Sequence, residues 1–415
     1  MSVATSPSSM GLLTVVLITA FINFLGITII FPVVSPLLIK SGLFFHSDET
    51  TKAIYWIGIL KASYPLMMVI GAPLLGSLGD VWGRRKVLML SILGSMAGYA
   101  AFLVGILIQR LELLILGRLL DGLTGASTAM LYATIADVVP ASGRGRYFGM
   151  ITAAFGAGFI LGPFIGGILS DPTVHPTFYY TTPFYLTLAL LMINLCFVWR
   201  YYPETFGKGK LGQWRERFGW GWLWRHPRKL WWLLIGGFLA WLGFSAYTHF
   251  VDVIMIQKFQ MSIRGLGLFF GYVGCWIIFT QTVLNHFLGR RFSSAHILRV
   301  ALPGLVVSFL IFSLAPSVGW AYATVPLISI HHGLSYPHYL SELSTQVSTR
   351  FQGRLLGAYQ SFQSLAIGSA PLIVAPIAAK WINGPLVVAA AFSLGALLVY
   401  FWWSRHFGQS PNSGQ

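Results

Sequence analysis

"GLLTVVLITAFINFLGITIIFPVVSPLL", Gly11 to Leu38, contains no charged residue. About 20 mostly apolar residues suffice to cross the bilayer as a helix. This run is longer than that. Lipid offers backbone N–H and C=O groups no partner, so the run reads as a membrane helix. Eleven more follow, at 54–76, 86–107, 112–136, 147–169, 182–200, 231–256, 265–288, 297–315, 318–340, 355–379 and 384–404. None shows the alternation of barrel strands. The composition agrees, with 56% of the 415 residues hydrophobic and 9% charged. The leading "MSVATSPSSM" has no basic n-region and no obvious cleavage site. The first apolar run is too long for a signal peptide, so it is expected to remain as the first helix.

Charge supplies orientation. With a cytoplasmic N-terminus, 19 of the 27 Lys and Arg residues fall on the cytoplasmic side, in six loops or tails. Six fall on the other side: Lys40, Lys52, Arg110, Lys258, Arg264 and Lys380. This is the positive-inside bias, and it places both termini in the cytoplasm. Lys61 and Arg118 lie within spans and belong to neither side. The net charge of +16 therefore reads as topology and contact with anionic lipid, not nucleic-acid binding. Cys196 and Cys275 lie in apolar runs with no pairing or metal-ligand spacing, and read as small core residues.

The chain repeats itself. "GRYFG" at Gly145–Gly149 leads thirteen residues on to Gly162–Pro163, and "GRLLG" at Gly353–Gly357 leads equally to Ala370–Pro371. The offset is 208 residues each time, close to half the chain. Two bundles of six helices are expected, over 1–203 and 231–415. The joining segment, 204–230, is basic and carries Trp214, Trp220, Trp222 and Trp224. It suits a helix lying at headgroup level on the cytoplasmic face. Two six-helix halves joined this way form a transporter layout, with the site between them near the midplane.

Several motifs carry a resemblance. "GSLGDVWGRRK", Gly76–Lys86, resembles the loop between helices 2 and 3 of the major facilitator superfamily. "LGRLLDGLTGA" resembles its helix-4 arginine motif. "GAGFILGPFIGG", Gly156–Gly167, is similar to the helix-5 motif of its drug:proton antiporters, and "PET" at Pro203–Thr205 to a common end of its first half. The pattern is nearest to twelve-helix, tetracycline-efflux-like proteins. The resemblance implies an all-α fold of two pseudo-symmetric bundles, a monomer in the cell membrane (the inner membrane of a bacterium), and alternating access driven by protons. From the residues themselves no cofactor, metal or enzymatic step is expected, although His338 and Glu342 have the i, i+4 spacing of metal ligands.

The motifs also have a direct physical reading. Gly79 and Gly83 permit a tight turn between helix ends. Asp80 and Asp137 are candidate partners for Arg84, in a cluster that could latch one conformational state. Gly158, Gly162 and Gly166 share a helix face that lets another helix approach closely, and Pro163 bends the backbone there.

Arg118 and Asp121 are three residues apart, so they share a face of helix 4. Charges within a membrane are costly and point inward or pair. A local ion pair is one reading. The other is that Asp121 takes up a proton and Arg118 keeps it exchangeable. Polar residues fall on faces of other helices too: Asn23; Lys61; Ser245, His249 and Asp252; Gln281; His331, Ser335, His338 and Glu342, with His332, Tyr336 and Tyr339 beside them; and Gln360 and Gln363. The resemblance makes helices 1, 4, 7 and 10 line the cavity. Asn23, Lys61, His249, Gln281, His331, Ser335, Tyr339, Glu342 and Gln363 are thus candidate substrate contacts.

The chain departs from the tetracycline-efflux pattern. Asn23 stands where helix 1 has an acid, and the helix-8 histidine falls near Ile277. Asp121, Asp252 and His338 remain as proton carriers, and tetracycline itself is disfavoured. Proton-coupled export of small organic compounds is the expected function. A carrier for one metabolite, organic anion or metal chelate is the alternative, suggested by Lys61 and the histidines. No nucleotide loop or nucleophile elbow supports an enzyme.

Overall fold

The computed structural model describes residues 7–125, 127–139, 144–204, 228–347 and 352–407, apart from a few side chains that include Asp80. The Trp-rich interfacial helix expected within 204–230 lies almost wholly outside the described residues. Among these residues the structure is helical throughout, with short turns between elements.

The first half comprises α1 (Pro7–Ile29), α2 (Phe31–Ile39), α3 (Thr50–Trp82), α4 (Arg84–Leu107), α5 (Leu111–Thr124), α6 (Ser127–Val138), α7 (Arg144–Leu169) and α8 (Thr182–Tyr201). The second comprises α9 (Arg228–Phe259), α10 (Ile263–Phe279), α11 (Asn285–Arg291), α12 (Ser294–Ser313), α13 (Val318–Ser344), α14 (Gln352–Lys380) and α15 (Gly384–Phe407). Ten stretches are long and apolar enough to cross a membrane. The two remaining expected spans are α5 with α6, and α13. Neither piece of the first is long enough alone. The second is diluted by His331, His332, His338 and Glu342.

Three expected spans are interrupted, each for a local reason. The first breaks at Ile30, where Pro32 opens α2 without an N–H to donate. The fourth breaks at Gly125, which ends α5 with its N–H on the Asp121 carbonyl at 2.6 Å. Gly122 and Gly125 weaken the helix there. The eighth widens to a π-turn over Thr280–Leu284 before α11 continues it.

The chain divides into two compact units: residues 1–214 with 261–272, and 215–260 with 273–415. Each unit pairs its helices in the same scheme. In the first, α1 packs on α7 and α8, and α4 on α5 and α8. In the second, α9 packs on α14 and α15, and α12 on α13 and α15. The 208-residue sequence repeat is therefore a repeat of packing. The second unit's core is leucine and aromatic, with Leu233, Leu298, Tyr400 and Trp403 all at most 2% exposed. Cys196 and Cys275 are exposed, not core residues. Their apolar flanks put them on helix faces that lipid can cover.

Candidate functional site

Glycines bring three helices together around the helix-4 motif. A β-carbon at Gly98 of α4 would stand 2.7 Å from the Gly117 carbonyl and 2.9 Å from the Asp121 nitrogen. One at Gly122 would meet Tyr64 of α3 at its backbone carbonyl. The motif is glycine-rich because α5 touches α3 and α4 backbone to backbone.

Within that crossing, Arg118 Nη1 donates to Asp121 Oδ2 at 3.4 Å, and both side chains are buried. The guanidinium also lies over the Tyr64 ring, 4.6 Å from its centroid. Asp121 borders a small, water-sized cavity shared with Asn23, Tyr64, Ser95, Tyr99 and Gly125. The Tyr64 hydroxyl is buried there with no hydrogen-bond partner. The expected Arg118–Asp121 pair is thus present, and Asn23 is beside it. Lys61 lies apart from this cavity, where its Nζ donates to Ser35 Oγ at 3.1 Å.

The loop motif forms a separate cluster. Gly83 joins α3 to α4 at φ +101°, a conformation that favours glycine. Arg84 Nε donates to Asp137 Oδ2 at 3.4 Å. Its backbone N–H donates to Glu204 Oε1 at 2.7 Å, so Glu204 satisfies an orphan donor at the start of α4. Gly79 leaves room for Met130, whose sulfur would lie 2.7 Å from a β-carbon there. The Asp80 side chain lies outside the described residues. Glu204 was visible in the sequence only as the middle of "PET", because its partner lies 120 residues away.

The helix-5 motif packs on α1. A β-carbon at Gly158 would stand 2.8 Å from the Phe21 carbonyl, and one at Gly162 would stand 2.9 Å from that of Leu25. Gly166 abuts Ile29 in the same way. Thr28 Oγ1 donates to the Gly158 carbonyl at 3.1 Å. Pro163 lies inside α7, which remains one helix.

In the second unit the expected helix-10 stripe divides, and its placement corrects the reading of a single cavity-lining face. His331 does not line the unit's cavity. Its Nδ1 is 3.0 Å from Ser308 Oγ, and its ring fills the space left by Gly304 on α12. His338 Nδ1 is 3.2 Å from Ser294 Oγ, also on α12. Glu342 is half-buried and feels the charge of Arg299 on that helix. The reason is rotational: this edge of α13 packs on its neighbour. The adjacent edge, with His332, Ser335, Tyr336 and Tyr339, borders a cavity shared with Trp241 and Tyr359.

The remaining candidates are dispersed. His249 Nδ1 is 3.0 Å from Ser245 Oγ within α9. Asp252 is fully buried and accepts from the Val253 N–H at 2.9 Å. Gln281 is exposed on the π-turn. Gln363 keeps a buried Oε1 without a hydrogen-bond partner. Among the described residues no three His, Cys, Asp or Glu side chains gather as metal ligands.

Comparison with known proteins agrees with these motifs. The family model of the Major Facilitator Superfamily matches residues 16–371. The chain is 29% identical to the class C tetracycline resistance protein of Escherichia coli, over 95% of this chain and 98% of that one. It is 30% identical to the class D protein of Salmonella ordonez, over 87% and 88%. Among solved structures, a bacterial homologue of the human lysosomal transporter Spinster matches with a TM-score of 0.75 at 15% identity, over 98% and 99% of the two chains. The D-xylose-proton symporter matches with a TM-score of 0.75 at 16% identity, over 94% and 97%. The chain belongs to the Major Facilitator Superfamily, and is a membrane transporter akin to its tetracycline-efflux members.

Proposed function

We propose that the protein exports small organic compounds in exchange for protons, with Asp121 as the proton carrier of the first unit. The buried Arg118–Asp121 pair at 3.4 Å, beside a small cavity that Asn23, Ser95 and Tyr99 also border, is the observation that carries this reading. Uncompensated charge is too costly in a membrane span to persist without a role or a partner. The carboxylate has a partner it can leave. When Asp121 binds a proton, its attraction to Arg118 falls, and the guanidinium keeps the Tyr64 ring as a second support. A pair whose attraction depends on distance and surroundings can exchange protons as access alternates. The similarity to tetracycline resistance proteins over nearly the whole chain supports export.

The same reading makes Arg84, Asp137 and Glu204 a latch. They join the start of α4 to the end of α6 and to the segment after α8, so sliding of these helices must break them. The protein works as a monomer in a bacterial inner membrane, with both termini cytoplasmic. A cysteine introduced at Ser410 is expected to resist a membrane-impermeant reagent added outside intact cells, and labelling from outside would overturn that topology.

The test of function uses everted vesicles and a fluorescent pH indicator. Adding an exported compound should release protons from the acidified lumen. Asp121→Asn should abolish that release and leave compound binding in place. Proton release by Asp121→Asn equal to that of the unaltered protein would refute the assignment.

A further inference from the structure

Polar side chains from four helices border the small cavity beside Asp121: Asn23 of α1, Tyr64 of α3, Ser95 and Tyr99 of α4, and Asp121 itself on α5. The rest of its wall is glycine and aliphatic side chains. Glycine seats both tyrosine hydroxyls. A β-carbon at Gly125 would stand 2.8 Å from the Tyr64 hydroxyl oxygen, and one at Gly26 would stand 3.0 Å from that of Tyr99. A side chain at either glycine would crowd the oxygen, so the two hydroxyls keep their places in the wall only because these positions are bare.

Those hydroxyls are placed where a partner is needed. Tyr64 is 5% exposed and Tyr99 3%, and neither hydroxyl has a hydrogen-bond partner in the protein. Both lie close enough to Asp121 to feel its charge. A buried O–H is destabilising unless something accepts its hydrogen. The carboxylate has the complementary need. Arg118 donates to its Oδ2 at 3.4 Å, and an ionised carboxylate has room for several donors. The cavity is the size of one water, and a buried water typically makes about three hydrogen bonds to groups otherwise unsatisfied. A metal cation of that size would be repelled by the Arg118 guanidinium, which already pairs with the same carboxylate.

We infer that this cavity is the binding site of one resident water, which accepts from the Tyr64 and Tyr99 hydroxyls and donates to the Asp121 carboxylate. Asn23 or Ser95 takes its second hydrogen. The water supplies the ionised carboxylate with a donor besides Arg118, at a depth where lipid supplies none. It is the solvent that remains with Asp121 when the proton has left. That role rests on the reading of Asp121 as the proton carrier, whereas the site itself rests on the two hydroxyls and the size of the space they face.

Two measurements on the full chain test it, and neither involves transport. The first is a crystal structure at a resolution that shows ordered waters, grown with choline in place of metal cations. It should show one peak within about 3.2 Å of both hydroxyl oxygens and of an Asp121 oxygen. No peak, or a peak that appears only when sodium is added, would overturn the assignment. The second is thermal unfolding of Tyr64→Phe, Tyr99→Phe and the double variant. Phenylalanine at 64 keeps the ring under Arg118 and removes only the hydroxyl. With the water in place each single variant should unfold about 2–4 °C lower. The double variant should fall by less than the sum, because both hydroxyls hold the same molecule. Hydroxyls with nothing to bond predict the reverse, since phenylalanine would remove a buried unpaired group. A rise or no change in either folded single variant, or a double loss equal to the sum, would overturn the shared water. If a variant does not fold, the crystal structure decides alone. Proton release retained in Asp121→Asn would refute the proton carrier and leave the water peak in place, so the two failures are distinguishable.

Discussion

Replacing Asp121 by Asn strands the Arg118 guanidinium, and the structure sets the size of the effect. At 3.4 Å the pair attracts by about 5 kcal/mol if the effective dielectric constant is about 20. Desolvation of both groups offsets much of that in the intact pair. Removing one partner instead leaves an unpaired buried charge, at a cost of about 3–5 kcal/mol. The contact of Arg118 with Tyr64 is present before and after, so it does not soften the loss. A loss near 3 kcal/mol in a unit of this size lowers the apparent unfolding temperature by about 6–12 °C. Arg118→Gln should cost a similar amount, because it strands the carboxylate. The double variant removes both charges. It should recover about 3 kcal/mol relative to the sum of the single losses. The assay is thermal unfolding of the four proteins in the same detergent, repeated in nanodiscs. If the double variant loses the sum of the single losses, the two groups do not interact, and the role of Asp121 built on their pairing fails.

Further outcomes follow from other contacts. Gly162→Val should destabilise by about 1–3 kcal/mol through overpacking of α7 on α1, whereas Gly149→Ala, with nothing within 4 Å of a β-carbon, should be silent in the same melts. Asp137→Asn removes a partly exposed partner of Arg84, so it should cost at most about 1 kcal/mol of stability while slowing transport without changing compound affinity. Affinity and rate falling together in a folded protein would contradict the latch. Tyr202 stands just past the last span of the first half, bonded to Thr134. Burial pushes its hydroxyl from 10.0 up to about 12, against the smaller pull of Thr134. Folding therefore favours its neutral form, and the stability it contributes is intact below pH 10 and lost between pH 10 and about 12. Tyr202→Phe should flatten the fall in unfolding temperature across that window, and an unchanged profile would contradict it.

The chain's membrane character and its spans were legible in order along the sequence. Hydropathy is a property of successive residues, and a run such as Gly11–Leu38 has no alternative to a helix in lipid. The repeat offset from "GRYFG" to "GRLLG" announced the repeated packing for a similar reason, because it places like helix faces at like positions. The Arg118–Asp121 pair was legible as well, being three residues apart on one helix. Contacts between distant segments were not. Glu204 caps α4 across 120 residues, and no local pattern states that distance. His331 and His332 are neighbours in sequence but point about 100° apart on the helix. One packs on Gly304 and the other borders an aromatic cavity. The rotation of α13 against α12 decided which was which, and that rotation is set by the shapes of side chains from both helices at once.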